Sequence, residues 1–240
     1  MKRALRAFST VLIVAGLLLI ADAGITLAWQ EPVSALMARI QQDKLAGQLE
    51  EIEQAAPTPV QRRALAALPS QRRRVAFLAR AARSDAEEGE PIGRIEIPRI
   101  DADFVVVQGT DAATLRKGPG HYPDTTFPGL RGTVAIAGHR TTYGAPFRNV
   151  DELRRGDRVV VAMPYGRFTY AVQGTKIVPP SAVWVTRDVG YDRLVLSACH
   201  PLYSAAERII VFARLERTEP RGAAVQAAGS RNERERAASG

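Results

Sequence analysis

With 240 residues, 46% of them hydrophobic, the chain can bury one ordinary core, so one compact domain with non-globular flanks is expected. A single cysteine, Cys199, excludes an intramolecular disulfide framework and a C-x-x-C zinc site. The formal charge of +8 is concentrated rather than spread: seven arginines and no acid lie between Arg62 and Arg83.

At the N-terminus Lys2, Arg3 and Arg6 precede an apolar run over 7–30 that is broken by one charge, Asp22. About 20 mostly apolar residues suffice to cross a bilayer. The basic flank is expected to stay cytoplasmic, which puts everything after Trp29 outside the cell and Trp29 at the outer interface. "ADA" over 21–23 has the small residues of a signal-peptide cleavage site, but apolar character resumes over 23–29, as a retained anchor requires.

Over 31–90 Leu, Ile and Ala recur at intervals of three and four, the period of a helix, interrupted by Pro57, Pro59 and Pro69. This region is expected to be a helical, partly flexible, basic stalk. Its arginines suit a solvated face, anionic lipid head groups or an anionic wall polymer. Nucleic acid is not expected as a partner, because no aromatic interleaving or nucleic-acid-binding motif accompanies them.

From Pro91 onward short runs of Val, Ile, Phe and Tyr alternate with Gly, Pro and Asp. Strands are expected over 92–97, 104–108, 133–138, 158–163, 167–173, 193–198 and 208–215, with a weaker pair within 175–185. "PYGR" is a hairpin turn, and short helical patches fall at 111–117 and 147–154. About eight strands argue for a closed β-barrel or a sandwich over 91–217. Residues 218–240 carry almost no large apolar side chain and are expected to be disordered.

Cys199 ends the apolar run "RLVLSAC", and the next strand begins at Arg208. If the two strands form an antiparallel hairpin, Cys199 and Arg208 are neighbours at one rim. An ordinary thiol of pKa ~8.5 is only a few per cent thiolate at neutral pH, so a reactive one needs a base. Three histidines exist, and His139, at the end of the strand "TVAIAGH", stands on the most rigid support. His200, beside the cysteine, either tunes it or faces solvent; His121, in "GPGHYP", either lines a cleft or makes a structural hydrogen bond. No pair among these residues shows close metal spacing, and none requires an organic cofactor.

The joint pattern resembles a family. "AIAGHRTTYGAPF", followed sixty residues after its histidine by "VLSACHP" and then by the strand "RIIVFARL", is similar to the sortases, membrane-anchored cysteine transpeptidases of Gram-positive bacteria. "GRIEIPRIDADFVVVQGT" and "LRKGPGHYPDT" are similar to the opening strands of that domain. Together with the anchor, "ADAGITLAWQEP", the likeness is greatest to class E of actinobacteria. It implies an eight-stranded β-barrel and a catalytic set of His139 as general acid/base, Cys199 as nucleophile and Arg208 as stabiliser of the oxyanion or substrate. His121, Tyr143 and Ala198 are implied as substrate-contacting positions. The family's T-L-x-T-C reads Val195, Leu196, Ser197, Ala198, Cys199 here, so both threonines are replaced.

The resemblance further implies cleavage of a C-terminal LPXTG-like sorting motif, LAXTG for class E, on secreted proteins. Transfer would then follow to an amine of a peptidoglycan precursor or a pilin, with no cofactor or metal. Two rival readings remain: an extracytoplasmic cysteine peptidase that only hydrolyses, and a sortase-like binding or scaffold protein without catalysis.

Overall fold

A computed structural model describes residues 2–28 and 32–225. The interface position expected for Trp29 and the C-terminal residues 226–240 lie outside the described residues. Helix α1 (Lys2–Ala28) contains the stretch Arg6–Gly24, whose mean hydropathy of 2.0 and length are enough to cross a membrane.

Eight strands follow: β1 (Pro91–Ile97), β2 (Ala102–Gln108), β3 (Gly120–His121), β4 (Thr133–Ala137), β5 (Arg158–Met163), β6 (Gly166–Val178), β7 (Arg193–His200) and β8 (Glu207–Pro220). They close into one barrel in the order β1-β2-β3-β4-β7-β8-β6-β5, with β5 pairing back onto β1. The β5–β6 hairpin turns at Pro164 and Tyr165, between paired Met163 and Gly166, as the "PYGR" turn predicted. Of the two expected alternatives, sandwich and barrel, the strands form the closed barrel; β3 pairs with only the last two residues of β2.

Alternation along the strands divides the apolar residues into two sets. Ile95, Val106, Ile136, Val161, Phe168, Leu196 and Val211 point inward and form the main core. On the outer face of β4, β7 and β8 a smaller cluster joins Ala135, Val195 and Ile210 to Val178, Ala182 and Val185. The last two belong to the β6–β7 connection, residues 179–192, which therefore folds over that outer face as a cover.

Several expected boundaries shift for identifiable reasons. The weaker pair of strands expected within 175–185 divides otherwise: its first part continues β6, and its second is a 3-10 turn, Val183–Thr186. The two-residue β3 is too short to leave a periodic signal. Strand β8 runs to Pro220, which pairs with Gly166, and Ala224 is fully buried, so order extends beyond the expected start of the disordered segment at 218.

The region expected as a stalk consists of α2 (Pro32–Gln54), α3 (Pro59–Ala67) and α4 (Gln71–Asp85). Helix α2 packs Leu45 and Leu49 on Val105 and Val107, and α4 contributes Val75 and Ala79 to the main core. The side-chain amide of Gln42 also stands in for a missing strand partner. It accepts from the Val105 N–H at 2.7 Å and donates to the carbonyls of Lys117 and Val105 at 2.7 and 3.2 Å. Both α2 and α4 are thus docked on the barrel rather than free of it.

His121 is 1% exposed and belongs to this framework. Its Nε2 lies 3.0 Å from the Thr126 carbonyl and 3.1 Å from Thr125 Oγ1, and its Nδ1 lies 2.9 Å from the Gln108 side-chain amide. Thr125 gives its own proton to the Tyr122 carbonyl, so Nε2–H is the donor at that end. The neutral ring then needs a donor at Nδ1, which the Gln108 amide nitrogen supplies once that amide is turned toward it. Burial depresses the imidazole pKa to about 4, outweighing the hydrogen bond to the Thr126 carbonyl, which acts to raise it.

In the unfolded chain the same histidine binds a proton near ~6.5, so across the window from there to about 4 the unfolded state holds more protons than the folded one. Its stabilising contribution is complete above that window and falls, by up to about 3 kcal/mol, as the pH drops through it. Urea unfolding at about pH 7.5 and about pH 4.5 is expected to show a smaller loss of stability on acidification for His121→Gln than for the wild type. Equal losses would show that His121 does not govern the acid limb.

Candidate active site

Strand β7 has a parallel neighbour on one side and an antiparallel neighbour on the other. Against β8 the register pairs Cys199 with Arg208 directly. The parallel ladder with β4 runs through Ala137 opposite Ser197 and ends on a 3.0 Å hydrogen bond from Gly138 N–H to the Ser197 carbonyl. His139 follows two residues after Ala137 and Cys199 two residues after Ser197, so the two stand level at the ends of adjacent strands.

The face on which they stand follows from period two. Leu196 and Ala198 point into the core, whereas Val195 packs in the outer cluster, so Cys199 continues the outward row. On β8, Ile210 lies in the outer cluster and Arg208 continues its row. Both Cys199 and Arg208 are half-buried. The cover of residues 179–192 lies on this same outer face, and Val183, Trp184, Leu202 and Tyr203 are exposed. Arg193, at the start of β7, fastens that cover from below by donating to the carbonyls of Val185 and Arg187 at 2.8 Å.

Local sequence fixes His139. A Cβ on Gly138 would lie 2.5 Å from the Phe147 ring, so only glycine lets the aromatic close down just before the histidine. Phe147 N–H then donates to the His139 carbonyl at 3.0 Å and closes the loop 140–146. Within that loop Tyr143, Gly144 and Ala145 all have positive φ, at 52°, 75° and 42°. This left-handed turn, which costs most at the two residues bearing a Cβ, brings the Tyr143 ring to 5.2 Å from the His139 ring.

Nε2 of His139 is buried and has no hydrogen-bond partner among the described residues. Burial first, and the Arg116 guanidinium second, hold the imidazole below its ordinary pKa. Arg116 lies over the Tyr143 ring at 5.8 Å. Arg208 donates through Nη1 to the carbonyls of Ala205 and Glu207, at 3.0 and 2.9 Å, which aligns its side chain with the loop 201–206 beside Cys199.

The structure therefore brings His139, Cys199, Arg208 and Tyr143 to one rim. Two of the six expected site residues are elsewhere. His121 does not line a cleft, because it is buried with both ring nitrogens engaged. Ala198 is 3% exposed and packed in the core, since a residue next to an outward-facing cysteine in extended backbone must face inward. A threonine at that position would likewise point away from the sulfur's face.

Sequence reasoning missed Arg140, which is buried directly after His139. Nε and Nη2 donate to the Arg148 carbonyl at 3.1 and 3.0 Å, Nη2 to Asp151 Oδ1 at 2.6 Å, and Nη1 to His200 Nδ1 at 3.3 Å. In a list of residues an arginine after a strand reads as solvated. The available signal was Asp151, the one acid placed to meet it in the following turn. Among the described residues no cluster of side chains is arranged to hold a metal ion.

Residues 95–216 match the family profile described as the sortase domain. Sortase D of Bacillus subtilis (strain 168) is 37% identical over 132 residues, covering 53% of this chain and 65% of its own length, so the chain spans just under two thirds of that relative. Sortase E from Streptomyces avermitilis is 36% identical with a TM-score of 0.51, over 56% of this chain and 93% of that structure. Sortase E1 from Streptomyces coelicolor, solved with a tripeptide in its active site, is 28% identical with a TM-score of 0.53, over 57% and 94%. Class E sortases are thus among the relatives, alongside a sortase D of similar identity. The barrel, the residues at its rim and a domain match that covers half of the chain converge on one assignment: the chain belongs to the sortase family.

Proposed function

We propose that the chain is a membrane-anchored cysteine transpeptidase that cleaves a C-terminal sorting motif of secreted proteins and joins the new carboxyl end to an amine. The observation that carries this reading is the meeting of Cys199, Arg208 and His139 on one rim, from three strands, with His139 Nε2 buried and unpartnered. In this reading α1 is a single-pass anchor with its N-terminus cytoplasmic and the barrel outside.

The Cys199 thiolate attacks the scissile carbonyl carbon, and the oxyanion that forms is met by N–H donors of Arg208. Collapse breaks the carbon–nitrogen bond, and His139 gives its proton to the departing amine, leaving a thioester on Cys199. An incoming amine attacks that thioester and loses its proton to His139; the thiolate leaves, and the enzyme is restored. A guanidinium suits the oxyanion because it remains charged at every working pH and presents its donors in a fixed plane. The motif is LPXTG-like, LAXTG by the class E likeness, and the apolar rim of Val183, Trp184 and Leu202 supports docking of its leucine end. Tyr143 forms the wall beside His139. The acceptor is an amine of a peptidoglycan precursor or a pilin lysine.

The full chain in detergent, given an LAXTG peptide and triglycine, is expected to form the amide adduct, detected by mass spectrometry. Cys199→Ser should lower its rate by at least about 10³-fold. Hydrolysed peptide without adduct would assign a peptidase instead, and no turnover by the wild type would leave a binding protein. Arg208→Gln is expected to reduce kcat by about 10²–10³-fold with KM within about threefold, and a change confined to KM would remove Arg208 from the transition state.

The charge on Arg116 disfavours protonation of His139. Arg116→Gln should therefore move the His139 limb of the pH–rate profile upward, by less than about one pH unit because Arg116 is exposed to solvent. A limb that stays in place or moves down would show that Arg116 does not act on His139.

A further inference from the structure

The β4–β7 ladder ends one residue before His139 and two before Cys199, at the hydrogen bond from Gly138 N–H to the Ser197 carbonyl. Something past that point must keep the two residues level, because a shift of about 1 Å in a reacting group can reduce the rate ~10²-fold. Arg140 is in place to do so. It is 3% exposed, and its acceptors come from the loop after β4, the following turn and the end of β7: the Arg148 carbonyl, Asp151 Oδ1 and His200 Nδ1.

A guanidinium has five N–H donors and no acceptor. Its contact with His200 therefore fixes the tautomer: Nδ1 of His200 accepts, and the ring proton sits on Nε2. The histidine next to the nucleophile is thus occupied with Arg140, the residue next to the other reacting group. Asp151, whose side chain is 47% exposed, is the carboxylate that offsets the buried charge. The two loops are joined a second time where Arg148 Nη2 donates to the Tyr203 hydroxyl at 3.4 Å, and that exposed contact is weaker.

We propose that Arg140 is a positioning residue for His139 and Cys199, clasping the end of β4 to the end of β7 through His200 Nδ1 and anchored by Asp151 and the Arg148 carbonyl. The inference rests on the reading of His139 and Cys199 as the reacting pair. It assigns His200 no proton transfer; the ring serves as an acceptor at a fixed place. Asparagine at 200 offers a carbonyl oxygen near the position of Nδ1 and cannot titrate, whereas alanine offers nothing.

The test compares Arg140→Gln, His200→Ala, His200→Asn and the double variant Arg140→Gln/His200→Ala in the full chain, with the LAXTG peptide and triglycine. Expected are a kcat lowered about 10–10²-fold for Arg140→Gln and about tenfold for His200→Ala, each with KM within about threefold. His200→Asn should stay within about threefold of the wild type, and the double variant should be no slower than Arg140→Gln alone. Equal losses for His200→Ala and His200→Asn, or losses that multiply in the double variant, would overturn the clasp. If Arg140→Gln does not fold, the two His200 variants decide the matter alone.

Amide hydrogen exchange over residues 139–151 supplies a readout that needs no substrate. It should quicken in His200→Ala and remain at the wild-type rate in His200→Asn. Unchanged exchange in His200→Ala overturns the clasp even if the wild type forms no amide. A wild type that forms no amide while exchange follows the expected pattern removes the transpeptidase reading and leaves the clasp standing.

Discussion

Strand β7 carries two different kinds of pairing, and the site depends on both. Antiparallel pairing with β8 sets Cys199 opposite Arg208, so the proposed nucleophile and a fixed cation share one register pair. Parallel pairing with β4 brings a residue sixty positions upstream to the same height, because parallel neighbours end at the same side of a sheet. The first contact is made within one hairpin, whereas the second joins strands far apart in the chain. A slip of one residue in either ladder would turn one partner to the opposite face, so the barrel core, which fixes the register, also fixes the chemistry. Burial of Ile136, Leu196 and Val211 on the inner face is what forbids that slip.

Among the described residues, the buried arginines lie where backbone or side-chain acceptors receive them. Arg74 donates to the Leu68 carbonyl, Arg140 to the Arg148 carbonyl and Asp151, and Arg193 to the carbonyls beneath the cover. Each holds an irregular segment for which no strand partner exists, and a planar fork of donors suits that task better than an ammonium would. Gln42 does the same from a helix with an uncharged amide, supplying donor and acceptor together. His139 differs: its Nε2 has no hydrogen-bond partner among the described residues, and the proposed function gives that atom the proton transfer.

The elements that were legible in the sequence are those whose signal is periodic. β5 and β7 read as strands because Val, Ile and Leu form unbroken runs between Gly, Asp and Pro, and the Cys199–Arg208 pairing followed from a short loop between two such runs. Boundaries governed by partners were not legible. β6 is long because β8 lies beside it to the end, and a 3-10 turn replaces the expected second strand because Ala182 and Val185 pack onto the neighbouring face instead of pairing. Helices α2 and α4 read as a stalk because charged residues, 6 of 23 in α2 and 6 of 15 in α4, are spread along them, and their docking rests on only two buried residues apiece in the clusters they join, Leu45 and Leu49, Val75 and Ala79. At the site, His139 stood out by its rigid support, but the inward turn of Ala198 and the burial of His121 are facts of three dimensions. Arg140 was hidden because burial of an arginine leaves no trace in composition.

The two ends of β7 have separate duties: Cys199 lies at one end, and at the other Arg193 fastens the segment 179–192. That segment covers the outer face of β4, β7 and β8 yet contains none of the three residues proposed to make and break bonds. Lineages descended from such a barrel are free to revise the cover, by substitution or insertion between Pro179 and Asp192, without disturbing the register that aligns the reacting groups. Under the proposed function, peptide preference is free to diversify on a chemistry that stays fixed, and the exposed apolar side chains of Val183 and Trp184 mark a place where that divergence would be recorded.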